Sequence, residues 1–431
     1  MRVLIVGSGG REHALAWSLS RSNKVQHVYV APGNAGSDSA INGLLSCSNI
    51  AMSNDDLQGL LDFARDEHID LTIVGPEVPL ALGIVDLFRE NGLRIFGPDK
   101  FAAQLEASKA FSKQFMQSHN IPTANAAIFT DATAAKRYAT ERSPQLVVKA
   151  DGLAAGKGVI VCNTHAEINH AIDLMLTENA FGDAGKTIIL EDCLTGREIS
   201  VLAFCDGKTL EVMPIARDHK RIFDGDQGGN TGGMGAICPT PDVDHATIQE
   251  VVERVILPAL RGMAQVGHPY IGVLYAGIML TEHGIQTLEF NCRFGDPETQ
   301  VILPLLETDL LDVFNACVDG KLAELPLQWS NDVCATVVMA SQGYPNSYSR
   351  HIPIHGLEEA TQVKNGIVFH AGTMVQDDQI VTNGGRVLAA TGVGTTLDEA
   401  LAIAYQLVET IHFEGAHYRR DIGRTFLQET P

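Results

Sequence analysis

Positive charge is in short supply in this chain. Its 31 lysines and arginines face 52 aspartates and glutamates, for a formal net charge of −21. With a pI near 5.0, a broad surface for nucleic acid is excluded, while a local basic pocket is not. Paired cysteines are missing too. The eight stand apart at 47, 162, 193, 205, 238, 292, 317 and 334, with no Cys-x-x-Cys, and several lie in apolar, strand-like runs. That pattern speaks for reduced, buried thiols in the cytosol. Long apolar runs are also absent: the longest, Ile271 to Leu280, is too short to span a bilayer. The opening Met-Arg-Val-Leu-Ile-Val-Gly is too short for a secretory signal and has no cleavage site. No repeat or low-complexity tract is present. A cytoplasmic protein without membrane or nucleic-acid partners is expected.

What is present is ample apolar content, 45% hydrophobic residues in 431, enough for about two to four folded domains. Residues 2–6 read as a buried strand, Gly7-Ser8-Gly9-Gly10 as a turn, and Arg11 to Leu19 as a helix. Strands at His27–Val30, Asp70–Val74 and Leu93–Phe96 also run into glycine turns. Four such units predict a small doubly wound parallel sheet with its ligand at the strand C-terminal ends. A dinucleotide fingerprint fails, because Glu12 stands where the third glycine belongs and no acid ends the next strand. Residues 7–13 and 33–36 are expected to meet a ligand through backbone N–H groups; Gly97 only makes a turn.

Ile121-Pro122-Thr123 begins a new unit. The strand Leu146–Ala150 carries Lys149. A glycine-rich stretch with Lys157 follows, at residues 151–158, and then the strand Val159–Cys162. This is no P-loop: the glycine spacing is one short and a strand, not a helix, comes next. A lid over phosphates competes with a plain hairpin turn. Thr187–Cys193 reads as a strand with a polar end suited to a base. The run from Gly228 to Gly235, with five glycines in eight residues, reads as loop. His219 reads as a hydrogen-bonded structural histidine. A helix at His245–Met263 and a strand at 271–280 follow.

The strand Ile285–Phe294 is the most informative stretch. Leu288, Phe290 and Cys292 alternate with Thr287, Glu289, Asn291 and Arg293, which places the second set on one face at about 7 Å spacing. A carboxylate and an amide oxygen suit Mg²⁺, and a guanidinium beside them suits a phosphate or carboxylate. A solvated strand face with an ion pair fits the same residues. Asp296-Pro297-Glu298 reads as a helix start, with Asp296 as N-cap and Glu298 in the first turn. After Asn331, strands at Val333–Ala340, Ile367–Ala371 and Val387–Thr391 and a helix at Leu397–Ile411 predict a small α+β domain.

This order resembles the ATP-grasp ligases. Within them the chain is similar, along essentially its whole length, to the glycinamide ribonucleotide synthetase (phosphoribosylamine–glycine ligase) family. Seven stretches carry the likeness: 9–14, 32–36, 74–77, 149–159, 218–221, 230–236 and 289–300, the last reading Glu-Phe-Asn-Cys-Arg-Phe-Gly-Asp-Pro-Glu-Thr-Gln. Two departures stand out. Gly229 stands where the family usually has Pro. The neighbouring strand, Leu-Tyr-Ala-Gly at 274–277, lacks the metal carboxylate of many ATP-grasp enzymes, as in this family.

The resemblance implies a doubly wound parallel α/β domain at 1–103 and an ATP-grasp unit at 104–330 with a lid subdomain at about 123–193. An α+β domain at 331–431 completes the expected fold. It further implies a ligase of de novo purine (IMP) biosynthesis that joins glycine to 5-phosphoribosylamine through a glycyl phosphate, with ATP as co-substrate. Mg²⁺ or Mn²⁺ would sit on Glu289 and Asn291. ATP would meet Lys109, Lys149, Gly152, Gly156, Lys157, Gly158, Glu191, Cys193, Leu194 and Glu198. Arg293, Lys149 and Asp218 would be catalytic. The substrates would meet Gly9, Gly10, Arg11, Glu12, Gly33, Asn34, Asp218, Lys220, Asn230, Arg293 and Asp296. A monomer ending near Pro431, without fused enzymes, is expected. On the residues alone, another ATP-grasp ligase or carboxylase, a dinucleotide oxidoreductase and a nucleotide sensor stay open.

Overall fold

The computed structural model describes residues 1–38, 46–153 and 158–424; Gly156 and Lys157 of the expected lid lie outside them. The first sheet is parallel and five-stranded, in the order Cys47–Asn49, His27–Pro32, Arg2–Gly7, Leu71–Val74, Ile95–Phe96. Four strands were expected; the fifth, Cys-Ser-Asn, is too short to show a period. Val3 and Ile5 pack with Leu15 and Leu19 on one face, Leu4 and Val6 with Leu60 and Phe88 on the other. Burial on both faces is why the central strand is apolar throughout.

Two antiparallel four-stranded sheets follow. The smaller joins Ala126–Phe129, Ile188–Asp192, Leu146–Ala150 and Val159–Cys162. The larger joins Leu210–Val212, Arg197–Asp206, Ile271–Thr281 and Gly284–Asn291. The expected helix at 245–263 is realised as His245–Val251 and Leu257–Gln265 with a π-turn, Val252–Ile256, between them. Pro258 has no N–H to give a carbonyl four residues back, which accounts for the looser turn.

Register in the larger sheet shapes the site. Gly277 pairs with Glu289 but Ile278 with Thr287, so Leu288 is the extra residue of a bulge. Ile285 and Thr287 are buried before it, Phe290 and Cys292 after it, and Leu288 joins Glu289 and Asn291 at the central cleft. The expected unbroken face, with Thr287 beside Glu289, is thereby corrected: one inserted residue reverses the alternation. The strand also stops at Asn291, and the Cys292 N–H donates to Glu106 instead of a ladder partner.

The C-terminal sheet runs Arg217–Asp218, Gly235–Cys238, Val333–Ala340, Arg386–Gly394, Gly366–His370. It thus takes two strands from the middle of the chain across residue 330, and it sets Asp218 and Arg386 at the cleft. The expected glycine-rich loop is partly ordered: Gln227–Asn230 pairs with Arg221–Phe223, and Gly235–Cys238 is a strand. Among the described residues no helix is long and apolar enough to cross a membrane.

Candidate active site

A cleft of about 460 Å³ opens where the sheets converge. Of the residues singled out in the sequence, it is lined by Arg11, Lys109, Lys149, Gly158, Glu191, Asp218, Lys220, Glu289, Asn291, Arg293 and Asp296. Its centre is Glu289. Among the described residues this carboxylate makes no hydrogen bond or ion pair. Burial would raise its pKa, but Lys220, Lys149, Lys109 and Arg293 around it hold it below the usual carboxylate range. Such a group is charged, accessible to a ligand and without a partner of its own. Asn291 on the same strand places an amide oxygen beside it, already touched by Arg293 Nη2 at 3.3 Å. One carboxylate and one amide oxygen fit a hard cation that completes its shell with phosphate and water. Across the sheet Tyr275 faces Asn291 and Gly277 faces Glu289, so no second carboxylate comes from that strand.

The cations are held ready by neighbours. Lys109 opens the helix Lys109–Ser118, whose N-terminus is capped by Ser108; its Nζ donates to the Gly152 carbonyl at 3.0 Å. Lys149 lies 2.8 Å from Glu191, which also meets Lys113 at 3.2 Å. Burial lowers the pKa of both Lys109 and Lys113. Lys220 is bonded to Glu198; Glu198 itself stands behind it, off the cleft lining. Arg293 lies 2.9 Å from Glu106 and 3.4 Å from Glu77. Burial pushes the Glu106 carboxyl up despite that arginine.

Acid chemistry gathers at the other end. The Glu298 carboxylate accepts from Tyr275 at 2.7 Å and Ser200 at 3.0 Å. Beside it, burial first and Glu298 second push the Asp218 pKa well above its usual value. Asp218 Oδ1 has no hydrogen-bond partner among the described residues. Gly233 (φ +112°) covers it so closely that a Cβ there would come within 2.6 Å of Oδ1, which excludes any larger residue.

The helix-start reading of 296–298 is corrected. The helix is Thr299–Ile302 and no side chain caps it. The Asp296 carboxylate instead accepts from the Gln300 side-chain amide at 2.8 Å and meets distant arginines. Arg386 Nη2 lies 3.4 Å from its carboxylate, and the Arg11 backbone N–H and guanidinium help hold its pKa down against burial. Arg386 also donates to the carbonyls of Gly232 and Asp296, so the C-terminal part of the chain reaches into the cleft.

Gly9, Gly10, Glu12, Gly33 and Asn34 do not line the cleft. Glu12 accepts from the Gly9 N–H and from Arg11 Nε at 2.5 Å, capping the helix Gly10–Ser20; a Cβ at Gly75 would fall 1.9 Å from it. Asn34 Nδ2 donates to Ser8 and His370, joining the first domain to the last. Asn230 is exposed on its hairpin, with Thr231 and Gly232 at the cleft instead. Cys193 and Leu194 continue from Glu191 outside the lining. His219 is buried and accepts from the Gly423 N–H, the structural role expected of it. The sequence reading missed Glu77, Glu106, Lys113, Tyr275, Glu298 and Arg386 as cleft residues. Glu77 follows a strand end, and that position could have flagged it. Nothing local marks the helical Glu106 and Lys113.

Family profiles match three consecutive segments. These are the phosphoribosylglycinamide synthetase N domain at 1–106, its ATP-grasp (A) domain at 107–299 and its C domain at 334–425. The chain is 50% identical over 424 residues to a phosphoribosylamine–glycine ligase of Ralstonia nicotianae, covering 98% of this chain and 99% of that one. It is also 50% identical to part of the chicken trifunctional purine biosynthetic protein adenosine-3, covering 98% of this chain and 42% of that longer protein. A phosphoribosylamine–glycine ligase crystal structure from Thermotoga maritima superposes with a TM-score of 0.85 at 33% identity, covering 98% of this chain and 100% of that one. Biotin carboxylase from Campylobacter jejuni shares the fold at 15% identity, with a TM-score of 0.73 over 97% and 92% of the two chains.

Proposed function

The chain belongs to the phosphoribosylglycinamide synthetase family, and from that premise we propose that it is an ATP-dependent phosphoribosylamine–glycine ligase of purine biosynthesis. It joins glycine to 5-phosphoribosylamine, with ATP giving ADP and phosphate. A carboxylate does not acylate an amine at neutral pH. Transfer of the γ-phosphoryl group to glycine makes an acyl phosphate, which the ribosylamine nitrogen attacks with loss of phosphate. Such a transfer requires alignment and charge neutralisation rather than a protein nucleophile.

The observation that carries this reading is the unpartnered Glu289 among four cationic side chains. Glu289 and Asn291 would hold a divalent cation, Mg²⁺ or Mn²⁺, which when bound neutralises phosphate charge. Lys109, bonded to the Gly152 carbonyl, and Lys149 hold phosphate oxygens. Glu191, Cys193 and Leu194 border the adenine, and Glu198 the ribose hydroxyls. Arg293, presented by Glu77 and Glu106, receives the glycine carboxylate as it becomes an acyl phosphate. Asp218 holds the glycine ammonium, which would draw its carboxyl back to the charged form. Arg11 and Asp296 border the phosphoribosyl end. Gly9, Gly10, Glu12, Gly33 and Asn34 keep that edge in place, and Lys220 balances Glu198.

The test is ADP release with glycine and phosphoribosylamine, each omitted in turn. Release only with both present is expected. Equal release with bicarbonate or another amino acid, and none with this pair, would overturn the assignment.

A further inference from the structure

Two lysines share one buried carboxylate beside the cleft, and they are not equivalent. Lys149 Nζ is 2.8 Å from Glu191 Oε2 and Lys113 Nζ is 3.2 Å from Oε1, so each oxygen has its own cation. Lys149 also reaches the Leu288 carbonyl at 3.3 Å, at the bulge next to Glu289. Lys113 is tied the other way. Its Nζ donates to Thr123 Oγ1 at 2.7 Å, and that hydroxyl donates in turn to the Thr287 carbonyl at 2.7 Å. The Lys113 side chain is 3% exposed. It sits one turn beyond Lys109 on the same helix, which sets both lysines on one face.

We propose that Lys113 is a positioning residue that keeps Glu191 neutralised while Lys149 moves its contact from Glu191 to the phosphates of the bound nucleotide. The inference rests on the ligase reading of this cleft. Its physical basis is the cost of stranding a charge. With Lys149 as sole partner, phosphate binding would leave Glu191, 5% exposed, as a buried unpaired carboxylate. That penalty would be subtracted from the binding of every phosphate-bearing ligand. With Lys113 held in place by Thr123, Glu191 keeps one ammonium throughout and Lys149 is free to leave. Adenosine, which has no phosphate to recruit Lys149, has no need of the reserve charge.

The experiment uses the full chain as wild type, Lys113→Met, Glu191→Gln and the double variant. Affinities are measured by titration calorimetry for adenosine and for a non-hydrolysable ATP analogue with Mg²⁺. Lys113→Met is expected to weaken the analogue at least ~10-fold and adenosine less than ~2-fold, because only the analogue strands the charge. In the Glu191→Gln background, where nothing charged is left behind, the same change should cost the analogue less than ~3-fold. Equal weakening of both ligands by Lys113→Met would mean a distorted pocket and would overturn the inference. So would a full loss in the Glu191→Gln background, a comparison that stands even where Lys113→Met alone does not fold. A wild type that fails to bind the analogue overturns the ligase reading itself, whereas a wild type that binds it leaves the variants to judge Lys113 alone.

Discussion

The seam between the first and last domains and the central cleft are built from similar material: glycine turns, carboxylates, arginines and asparagines. They differ in satisfaction. At the seam Glu12 is engaged by Gly9 and Arg11, and Asn34 uses both ends of its amide, on Ser8, His370 and Gly36. In the cleft Glu289 has no partner and Asp218 Oδ1 has none among the described residues. A folded chain rarely leaves buried polar groups unpaired unless a ligand completes them. The seam's polar groups are spent on holding domains together, whereas the cleft keeps carboxyl oxygens without partners among the described residues.

The strongest way to break this contrast is Glu289→Gln. Because that carboxylate has no hydrogen bond to lose, turnover at limiting Mg²⁺ should fall ~100-fold or more, without a matching fall in thermal midpoint. Steady-state ADP release and circular dichroism check both halves; wild-type turnover in the folded variant would sink the metal assignment.

Acid should weaken the seam. His13 accepts from the His370 N–H, and His370 meets Thr373. Burial lowers both imidazoles, His370 to about 4. The unfolded chain takes up its proton near pH 6.5 and the folded one only near 4. This contribution to stability is therefore complete above about pH 6.5 and lost as the pH falls toward 4, about 3 kcal/mol for His370. Urea unfolding at pH 7 and 4.5 should show the loss, and His370→Phe should shrink it.

Glu12→Gln should cost about 2 kcal/mol of stability, since Arg11 loses its charged partner. In the folded variant kcat should stay within a few-fold of wild type. A large kcat loss with unchanged unfolding would move Glu12 from seam to site. Asp296→Asn belongs between the two regions. It should cost about 1 kcal/mol through the Arg386 contact, with a modest rise in KM for phosphoribosylamine. No change in either would show that Arg386 is held by the carbonyls of Gly232 and Asp296 alone.

Much of the cleft was legible because its chemistry is local. The strand period set Glu289 and Asn291 on one strand, and both line the cleft. The bulge at Leu288 was not legible, because a single extra residue leaves no trace in an alternating pattern until the partner strand sets the register. The reading of Asp296 as a cap failed for a related reason. Asp-Pro-Glu satisfies every local rule for a helix start, but the carboxylate is engaged by the Gln300 side chain and by Arg386, ninety residues on, rather than by a helix N–H.

Fold class, the strand that carries Glu289 and Asn291, and the family were all readable from the order of residues. Each rests on periodicity or motif, which need only neighbours along the chain. Tertiary structure alone decided which polar turns face the cleft and which face the seam. It also decided that Glu77 and Glu106 flank Arg293, that Arg386 meets Asp296, and that Lys113 shares Glu191 with Lys149. Those outcomes depend on charges brought together from distant segments, where burial makes each unpaired group costly enough to select its partner.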